Sequence, residues 1–308
     1  MTPVLSGLGS SVGACVPLTE LPEGTMPTAA ARRLTERGQR LCPVADDEMP
    51  LIEQSVLRTL TATGLRPAAV RQVLIATETL GASGSRDGHE WTRGRLYRTL
   101  AGLGLGHAPV TAFSFGGCGT VMTALEYAGL VAERDPSATS LVIAVGRMRE
   151  GDSRVLAPAV SAIGDGAASC VVRAGGAGWR TRWLLRRAFL DVAAFDRTKE
   201  DFGPSLLLLG RALRGLLHEA REQGLPEKPV LLCNNYGLPT LQMFAGALRA
   251  TADQLFTDNV ARLSHLGTPD LLINLADLPA ATSTVLVLAT GPADCALALL
   301  ERTEGDPA

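Results

Sequence analysis

The sequence is poor in the features that mark membrane, metal-binding and nucleic-acid-binding proteins. It has no uncharged apolar run of the roughly 20 residues that a membrane-spanning helix needs. It contains four histidines, and its six cysteines are scattered without CxxC or CxxH spacing. Scattered cysteines in a long chain are typical of reduced thiols, and so few histidines do not favour a zinc site. We therefore expect no membrane span and no bound metal.

Neither positive nor negative residues are in large excess. The formal net charge is −2, which argues against a nucleic-acid partner. One basic cluster, WRTRWLLRR at 179–187, is interleaved with apolar residues. We interpret it as the solvated face of a strand or helix, with a phosphate contact as the alternative. The start of the sequence lacks a basic stretch followed by an apolar core, so we expect no secretory signal and a cytoplasmic protein.

The sequence does contain two series in which apolar strands alternate with helices. The first leads from PVLSGLG through QVLIATETL and PVTAFSF to AASCVVRAG, and the second from WLLRRAFLDV through PVLLCNN to STVLVLATG and DCALALLER. The strand interiors are apolar without alternation, as expected when helices cover both faces of a largely parallel sheet. The similar order predicts an α/β protein with a duplicated core, one half at 1–176 and the other at 177–308. Residues 80–95 predict a surface loop, and residues 238–256 predict one helix.

A cysteine among glycines stands where a strand gives way to a helix, in FSFGGCGTVMTALEYA at 113–128. A helix that begins at Cys118 directs its free N–H groups and the positive end of its dipole at the thiol, which favours the reactive thiolate. The neighbouring glycines allow a sharp turn and close approach of a substrate. The alternative is an inert core cysteine, which is our interpretation of the other five, at 15, 42, 170, 233 and 295.

A nucleophilic cysteine in acyl transfer needs a base and groups that orient the base or hold an oxyanion. His265 lies in the turn RLSHLGTPD with Asp270 close behind, and Asn234 and Asn235 follow an apolar strand in CNNYG. The carboxyl end of a strand is where an α/β site collects polar groups. From the residues alone, His265 can also be structural, and Asp270 can cap the helix that follows. The remaining histidines lie in polar loops or a charged helix, at 89, 107 and 218.

Taken together, these motifs resemble the thiolase-fold condensing enzymes, and in particular ketoacyl synthase III-like proteins. SGLGSSVGACVP is similar to the opening strand and loop, and FSFGGCGTVMTALEYA to the nucleophile motif. SAIGDGAASCVV looks like the family's glycine–aspartate–glycine turn, and LATGPADCALALL like its closing glycine loop near the oxyanion hole. The resemblance covers nearly the whole chain. It implies a duplicated βαβαβαββ core in five αβαβα layers, and a homodimer with the strand ahead of Cys118 near the interface.

The sequence departs from the synthase III pattern at two positions. The family places a His after the strand that corresponds to PVLLCNN and an Asn in the later glycine turn, whereas this sequence has Asn234 first and His265 later. That order is similar to thiolases and to ketosynthase III-like acyltransferases of natural-product pathways, which use Cys, His and Asp. In decarboxylative synthases the His and Asn together stabilise the enolate formed from malonyl thioester. The swap argues against carbon–carbon bond formation and leaves acylation of the cysteine intact.

The resemblance therefore implies an acyltransferase without a permanently bound cofactor. Cys118 would attack an acyl thioester of coenzyme A or of an acyl carrier protein, and His265 would be the base toward a hydroxyl or amine of a small-molecule acceptor. Asp270 or Asn234 would orient His265 or bind substrate, and the backbone N–H groups of Cys118 and Gly291 would hold the oxyanion. The alternatives are a decarboxylative ketoacyl synthase III that starts a chain and a non-catalytic partner subunit of a synthase, which the retained cysteine disfavours.

Overall fold

A computed structural model describes residues 2–80, 86–156, 160–190 and 203–304. The elements of the first half are β1 (Pro3–Val12), β2 (Ala14–Pro17), α1 (Thr28–Glu36), β3 (Leu41–Val44), α2 (Met49–Thr63), β4 (Gln72–Thr77), α3 (Arg86–Gly102), β5 (Val110–Phe113), α4 (Thr120–Arg134), β6 (Ser140–Gly146), β7 (Val155–Leu156), β8 (Ser161–Ala162) and β9 (Gly166–Ala174). Those of the second half are β10 (Gly178–Ala188), α5 (Gly203–Glu222), β11 (Val230–Cys233), α6 (Leu238–Leu248), α7 (Val260–Leu263), α8 (Asp270–Ala276), β12 (Thr284–Thr290) and β13 (Asp294–Thr303). The predicted alternation of strands and helices is confirmed.

Nine strands form one mixed sheet in the order β11-β12-β13-β10-β1-β9-β6-β4-β5. The run β4-β6-β9-β1 in the first half corresponds to β11-β12-β13-β10 in the second, so the two halves repeat one strand order. They join where β1 and β10 pair antiparallel at Val4–Arg180 and Leu5–Trp179. The counterpart of β5 in the second half is a single bridge from Leu255 to Leu231 in β11. The boundary predicted at 176/177 falls in the turn between β9 and β10.

Alternating side chains along the strands produce five layers. On β4, Leu74 belongs to an inner core shared with α4 and α8, whereas Ile75 belongs to an outer core shared with α2 and α3. On β11, Leu232 belongs to the same inner core, whereas Leu231 packs with α5 and α6. Successive strand residues point to opposite faces, so each half of the sheet separates two helical layers. The predicted αβαβα arrangement is confirmed, with α4 and α8 between the two halves.

Two local predictions are wrong. The helix predicted over 238–256 ends at Leu248, because Arg249 takes a left-handed φ of 56°. Thr251 and Gln254 then form a capping box that begins a separate 3-10 turn. The surface loop predicted over 80–95 is helical from Arg86, where α3 begins, and residues 81–85 lie outside the described part of the chain.

The basic cluster at 179–187 lies on β10. Its arginines are partly exposed and pair with carboxylates: Arg180 and Arg182 with Glu301, Arg186 with Glu126, and Arg187 with Glu219. The cluster is therefore a partly exposed, ion-paired face of β10, on which nitrogens of Arg180 and Arg186 are buried. In the described ranges, no helix is both long and apolar enough to span a bilayer, and no three His, Cys, Asp or Glu side chains group as a metal site would require.

Candidate active site

Cys118 lies in a 3-10 turn, Gly117–Gly119, between β5 and α4. Gly117 has a φ of 56°, and a Cβ atom placed there would lie 2.3 Å from Cδ of Pro292. A residue with a side chain would be strained at this φ and would also collide with the proline. Gly117 is therefore required by the tight packing of the turn against the loop after β12, whereas a Cβ at Gly119 would make only ordinary contacts.

The other cysteines differ in their surroundings. Burial raises the pKa of Cys42, Cys170 and Cys295 to about 12, and it raises the pKa of Cys233 further. These thiols stay protonated at neutral pH and are inert, as predicted. The interpretation of Cys15 as a core cysteine is wrong, because it is exposed on β2.

Three side chains from the two halves form a continuous Cys–His–Asp chain. Sγ of Cys118 lies 2.9 Å from Nε2 of His265, and Nδ1 of His265 lies 2.5 Å from Oδ2 of Asp270. Asp270 begins α8 but makes no capping hydrogen bond to it. Its carboxylate therefore contacts the imidazole rather than the free N–H groups at the start of the helix. This is the constellation of a nucleophile, a base and an orienting acid.

Asp270 is itself held by a residue that the sequence analysis did not assign to the site. Its Oδ2 accepts the backbone N–H of Asn235 at 2.9 Å, and its Oδ1 accepts the Asn235 side-chain amide at 3.3 Å. One turn along α8, Asn274 donates from Nδ2 to Oδ1 of Asn235 at 2.8 Å. Positions four apart share one helix face, so Asp270 and Asn274 together fix α8 against the end of β11. The signal in the sequence was this polar i, i+4 pair inside the apolar segment DLLIN.

The glycine–aspartate–glycine turn positions the histidine. The carbonyl oxygen of His265 accepts the N–H of Gly164 at 2.9 Å. A Cβ atom at Gly164 would lie 2.9 Å from the Leu266 side chain, so a glycine lets the His265 loop lie against this turn. Asp165 is fully buried and pairs with Arg154 at 2.7 Å. The glycine–aspartate–glycine turn of the first half thus positions the loop that carries His265 in the second half.

The charges around His265 fix its protonation. Burial lowers the pKa of the imidazole, but the negative charges of the Cys118 thiolate and of Asp270 outweigh burial and raise that pKa to about 10. This raised pKa favours the protonated imidazole, and its Nε2 lies within hydrogen-bond distance of the Cys118 sulfur.

Solved structures share this architecture over the whole chain. The acyltransferase ChlB3 superposes with a TM-score of 0.80 at 17% identity, covering 99% of both chains. The C-terminal type III polyketide synthase domain of Steely1 from Dictyostelium gives 0.79 at 13% identity, covering 98% of this chain and 99% of that one. The 3-oxoacyl-(acyl carrier protein) synthase III, FabH, from Pseudomonas aeruginosa PAO1 gives 0.76 at 17% identity over 100% of both.

The chain has the thiolase-like fold. No protein-family model matches the sequence, and no curated protein matches it. At these identities the likeness is one of fold, so the chemistry has to be argued from the side chains of the site.

Within the thiolase-like fold, Asn234 does not contact the imidazole of His265, and the N–H of Gly291 already has a partner. Asn234 is buried and donates from Nδ2 to the carbonyl oxygen of Gly267 at 3.3 Å, whereas Asp270 orients His265. Gly291 lies beside the nucleophile turn, but its N–H donates to the carbonyl oxygen of Asp294 at 2.9 Å. In this structure that N–H is not free to hold an oxyanion.

A tyrosine that the sequence analysis did not identify completes the surroundings of the thiol. Tyr236 is buried, and the centroid of its ring lies 4.7 Å from that of His265. The remaining described histidines lie apart from this site of the thiolase-like fold, since Nε2 of His107 is 3.0 Å from the Val70 carbonyl oxygen and His218 is exposed beside Glu222. The side chain of His89 lies outside the described part.

Proposed function

We propose that the protein is an acyltransferase. It moves an acyl group from a thioester of coenzyme A or of an acyl carrier protein, through Cys118, to a hydroxyl or amine of a small molecule. The contact chain from Cys118 through His265 to Asp270 carries this proposal. The names of the similar structures, an acyltransferase and a 3-oxoacyl-(acyl carrier protein) synthase, support the choice of a thioester donor.

The first step is acylation of the thiolate. The Cys118 sulfur attacks the thioester carbonyl, the bond from that carbon to the carrier sulfur breaks, and the carrier thiolate takes the proton from Nε2 of His265. The cysteine has then lost its charge, which is one of the two charges that raise the pKa of His265. Acylation therefore leaves a neutral imidazole beside the acyl-enzyme.

The second step uses that neutral imidazole as a base. The acceptor hydroxyl or amine attacks the acyl carbon while Nε2 of His265 takes its proton. Asp270 lies on the other side of the ring and stabilises the imidazolium that forms. Collapse of the intermediate returns the electron pair to sulfur and restores the thiolate–imidazolium pair. The backbone N–H of Cys118 is the proposed oxyanion donor, now without Gly291.

Asn234 is proposed as a substrate contact. Its Oδ1 is buried and has no hydrogen-bond partner among the described residues. A buried carbonyl oxygen that accepts no hydrogen bond raises the free energy of the folded protein. A substrate N–H or O–H that donated to it would therefore bind favourably.

Two alternatives from the sequence analysis are weaker. A decarboxylative ketosynthase would use a His and an Asn together on the enolate, whereas here Asp270 holds the histidine as a proton acceptor and Asn234 contacts Gly267. A non-catalytic partner subunit has no need of a cysteine sulfur held 2.9 Å from a buried histidine that is itself bonded to Asp270.

We also propose a homodimer that forms through β5. This strand is the last in the sheet, and its Thr111 and Ala112 are exposed. Phe115, two residues beyond the strand, is 96% exposed. An unpaired edge next to an exposed aromatic side chain favours pairing with a second copy across a two-fold axis.

The test of the function is the intact mass of the protein after incubation with a panel of acyl thioesters of coenzyme A and of an acyl carrier protein. We expect a single acyl group on wild-type protein, mapped to Cys118, and none on Cys118→Ala. Release of carbon dioxide from malonyl thioester with a β-ketoacyl product would replace the acyltransferase proposal with the ketosynthase alternative. A wild-type protein that no thioester acylates would overturn both.

A further inference from the structure

A cavity of about 500 Å³ lies apart from the candidate active site. It is bounded by β1, by the last residues of α2 and α8, and by the turn from β9 to β10. Val172, near the end of β9, pairs with Ser140 at the start of β6, whereas Cys118 follows the end of β5. Because β4 is parallel to both β5 and β6, the cavity lies toward the end of the sheet opposite the nucleophile.

A β-bulge in β1 opens this cavity. The register of β1 with β9 shifts between Ser6 and Gly9, so Gly7 and Leu8 lie outside that ladder. Gly7 has a φ of 61°, and a Cβ atom there would lie 2.2 Å from Cγ2 of Thr63 at the end of α2. The end of α2 can therefore lie against the bulge only because this residue is a glycine. Bulges are over-represented next to the active sites of other proteins.

Two arginines line the cavity without a carboxylate partner. Arg302 stacks on the ring of Trp179, with Cζ 4.7 Å from the ring centroid, and the guanidinium of Arg173 lies against Gly176 in the turn from β9 to β10. Among the described residues, neither guanidinium takes part in a hydrogen bond or an ion pair. Stacking occupies the flat face of Arg302, whereas the N–H donors of a guanidinium lie in its plane. Both arginines therefore keep their donors for a ligand.

A serine hydroxyl at the same cavity also lacks a partner. Oγ of Ser6 is buried, and no described residue forms a hydrogen bond with it. A buried polar atom without a partner raises the free energy of the folded protein, so a ligand that bonded to it would bind favourably. The neighbouring carboxylate is already occupied, because Glu301 on β13 pairs with Arg180 on β10 at 3.1 Å.

We propose that this cavity binds a small organic anion, a carboxylate or a phosphate ester that carries an apolar body. Guanidinium groups form paired N–H···O hydrogen bonds with both kinds of anion. The Ser6 hydroxyl supplies a further donor, and the side chains of Leu5, Leu8 and Leu275 contact the apolar body. The site is separate from Cys118 and does not depend on the proposed acyl transfer.

The alternative is that the two arginines act only on the ends of the helices. Both α2 and α8 end at the cavity, and a cation near the C-terminus of a helix is favourable. In that case the loss of these charges lowers the melting temperature and leaves ligand binding unchanged. Ser6 separates the two roles, because its hydroxyl has no internal hydrogen bond to lose.

The experiment measures the binding of phenyl phosphate, octanoate and inorganic phosphate by isothermal titration calorimetry, with a thermal melt of each variant. Wild type is compared with Arg173→Gln/Arg302→Gln and with Ser6→Ala. The matched control is Arg211→Gln/Arg221→Gln, which removes two exposed arginines from α5.

We expect phenyl phosphate, octanoate or both to bind wild type more tightly than inorganic phosphate does. The double arginine variant should weaken that binding by about 10-fold or more, because two charged hydrogen-bond donors are lost. Ser6→Ala should weaken it by about 5-fold without lowering the melting temperature. The control variant should keep the wild-type affinity. Tighter binding of phenyl phosphate assigns the site to phosphate esters, and tighter binding of octanoate assigns it to carboxylates.

A wild-type protein that binds none of the three probes at millimolar concentration overturns this inference. Binding that the double arginine variant and Ser6→Ala both retain also overturns it, because the probe then lies elsewhere. Inorganic phosphate that binds as tightly as the other two probes contradicts the apolar part of the site. None of these results depends on acylation of Cys118, so the proposed function is tested separately.

Discussion

At the scale of single residues, the account depends on one proton on His265. Burial lowers the pKa of the imidazole, but charge interactions and hydrogen bonds with Cys118 and Asp270 raise it to about 10. Its pKa in the unfolded chain is about 6.5, so protonation stabilises the fold fully below that pH. This contribution is lost as the pH rises through about 10. Acylation of Cys118 removes one of the two charges beside His265. The histidine then changes from a proton donor to a proton acceptor.

Cys118→Ala should therefore lower the pKa of His265, because the thiolate charge is gone while burial and Asp270 remain. The measurement is an NMR titration of labelled histidine, which four histidines in the sequence make tractable. His218 is exposed on α5, outside the Cys–His–Asp contact chain, and its resonance is the internal reference. An identical His265 midpoint in wild type and Cys118→Ala would show that the thiolate does not control this proton.

At the scale of elements, the apolar runs and glycine stops were enough to predict the strand and helix order. They failed for α6, because the left-handed turn at Arg249 and the capping box at Thr251 interrupt a pattern that remains apolar. They failed for the start of α3, where the polar, glycine-containing residues 86–95 are helical, while the later part of that helix packs on α2. Periodicity reports which face can be buried, not what packs on it.

The site was predictable only in part for the same reason. The glycines around Cys118 and the turn at His265 carry local signals. The role of Asp270 was undecidable from sequence, because its partner Asn235 lies 35 positions away and only the fold brings the two together. Tyr236 gave no signal at all, since a tyrosine after a buried strand is also an ordinary core residue.

The turn Gly117–Gly119, which carries Cys118, gives a testable prediction at the scale of elements. Gly117→Ala should lower the free energy of unfolding by about 1–2 kcal/mol from the left-handed φ alone, with a further cost from the contact with Pro292. It should also slow alkylation of Cys118, because the turn must shift. Thermal melts and alkylation rates check this.

Gly102→Ala is the control, since Gly102 ends α3 with no atom within 4 Å of the added Cβ and no positive φ. That change should leave both measurements near wild type. If Gly117→Ala behaves like Gly102→Ala, the turn does not depend on a glycine.

At the scale of the whole molecule, the two halves of the duplicated core contribute different residues to one site. The first half supplies the nucleophile turn after β5, and the second supplies His265 and Asp270 before and within α8. Because α4 and α8 lie together in the central layer, both turns meet at one end of the sandwich. Neither half contains the complete chain of contacts.

The exposed strand β5 at the edge of the sheet predicts that two copies of the protein associate. We expect light scattering at micromolar concentration to give twice the mass of one chain. Ala112→Arg puts a charge on the exposed edge of β5 and should yield monomers, whereas Leu207→Arg on the exposed face of α5 should not. A wild-type monomer, or a dimer that Ala112→Arg leaves intact, would contradict pairing through β5.

The most direct test of the central claim is single-turnover loading and transfer by His265→Ala. Loading is run at pH 9, where a thiol ionises without help from an imidazolium, and transfer to an amine or alcohol is then followed by intact mass. The account predicts that acyl-Cys118 accumulates and that transfer falls by about 100- to 10,000-fold, the usual contribution of a general base. A His265→Ala protein that melts normally and transfers at the wild-type rate would contradict the account.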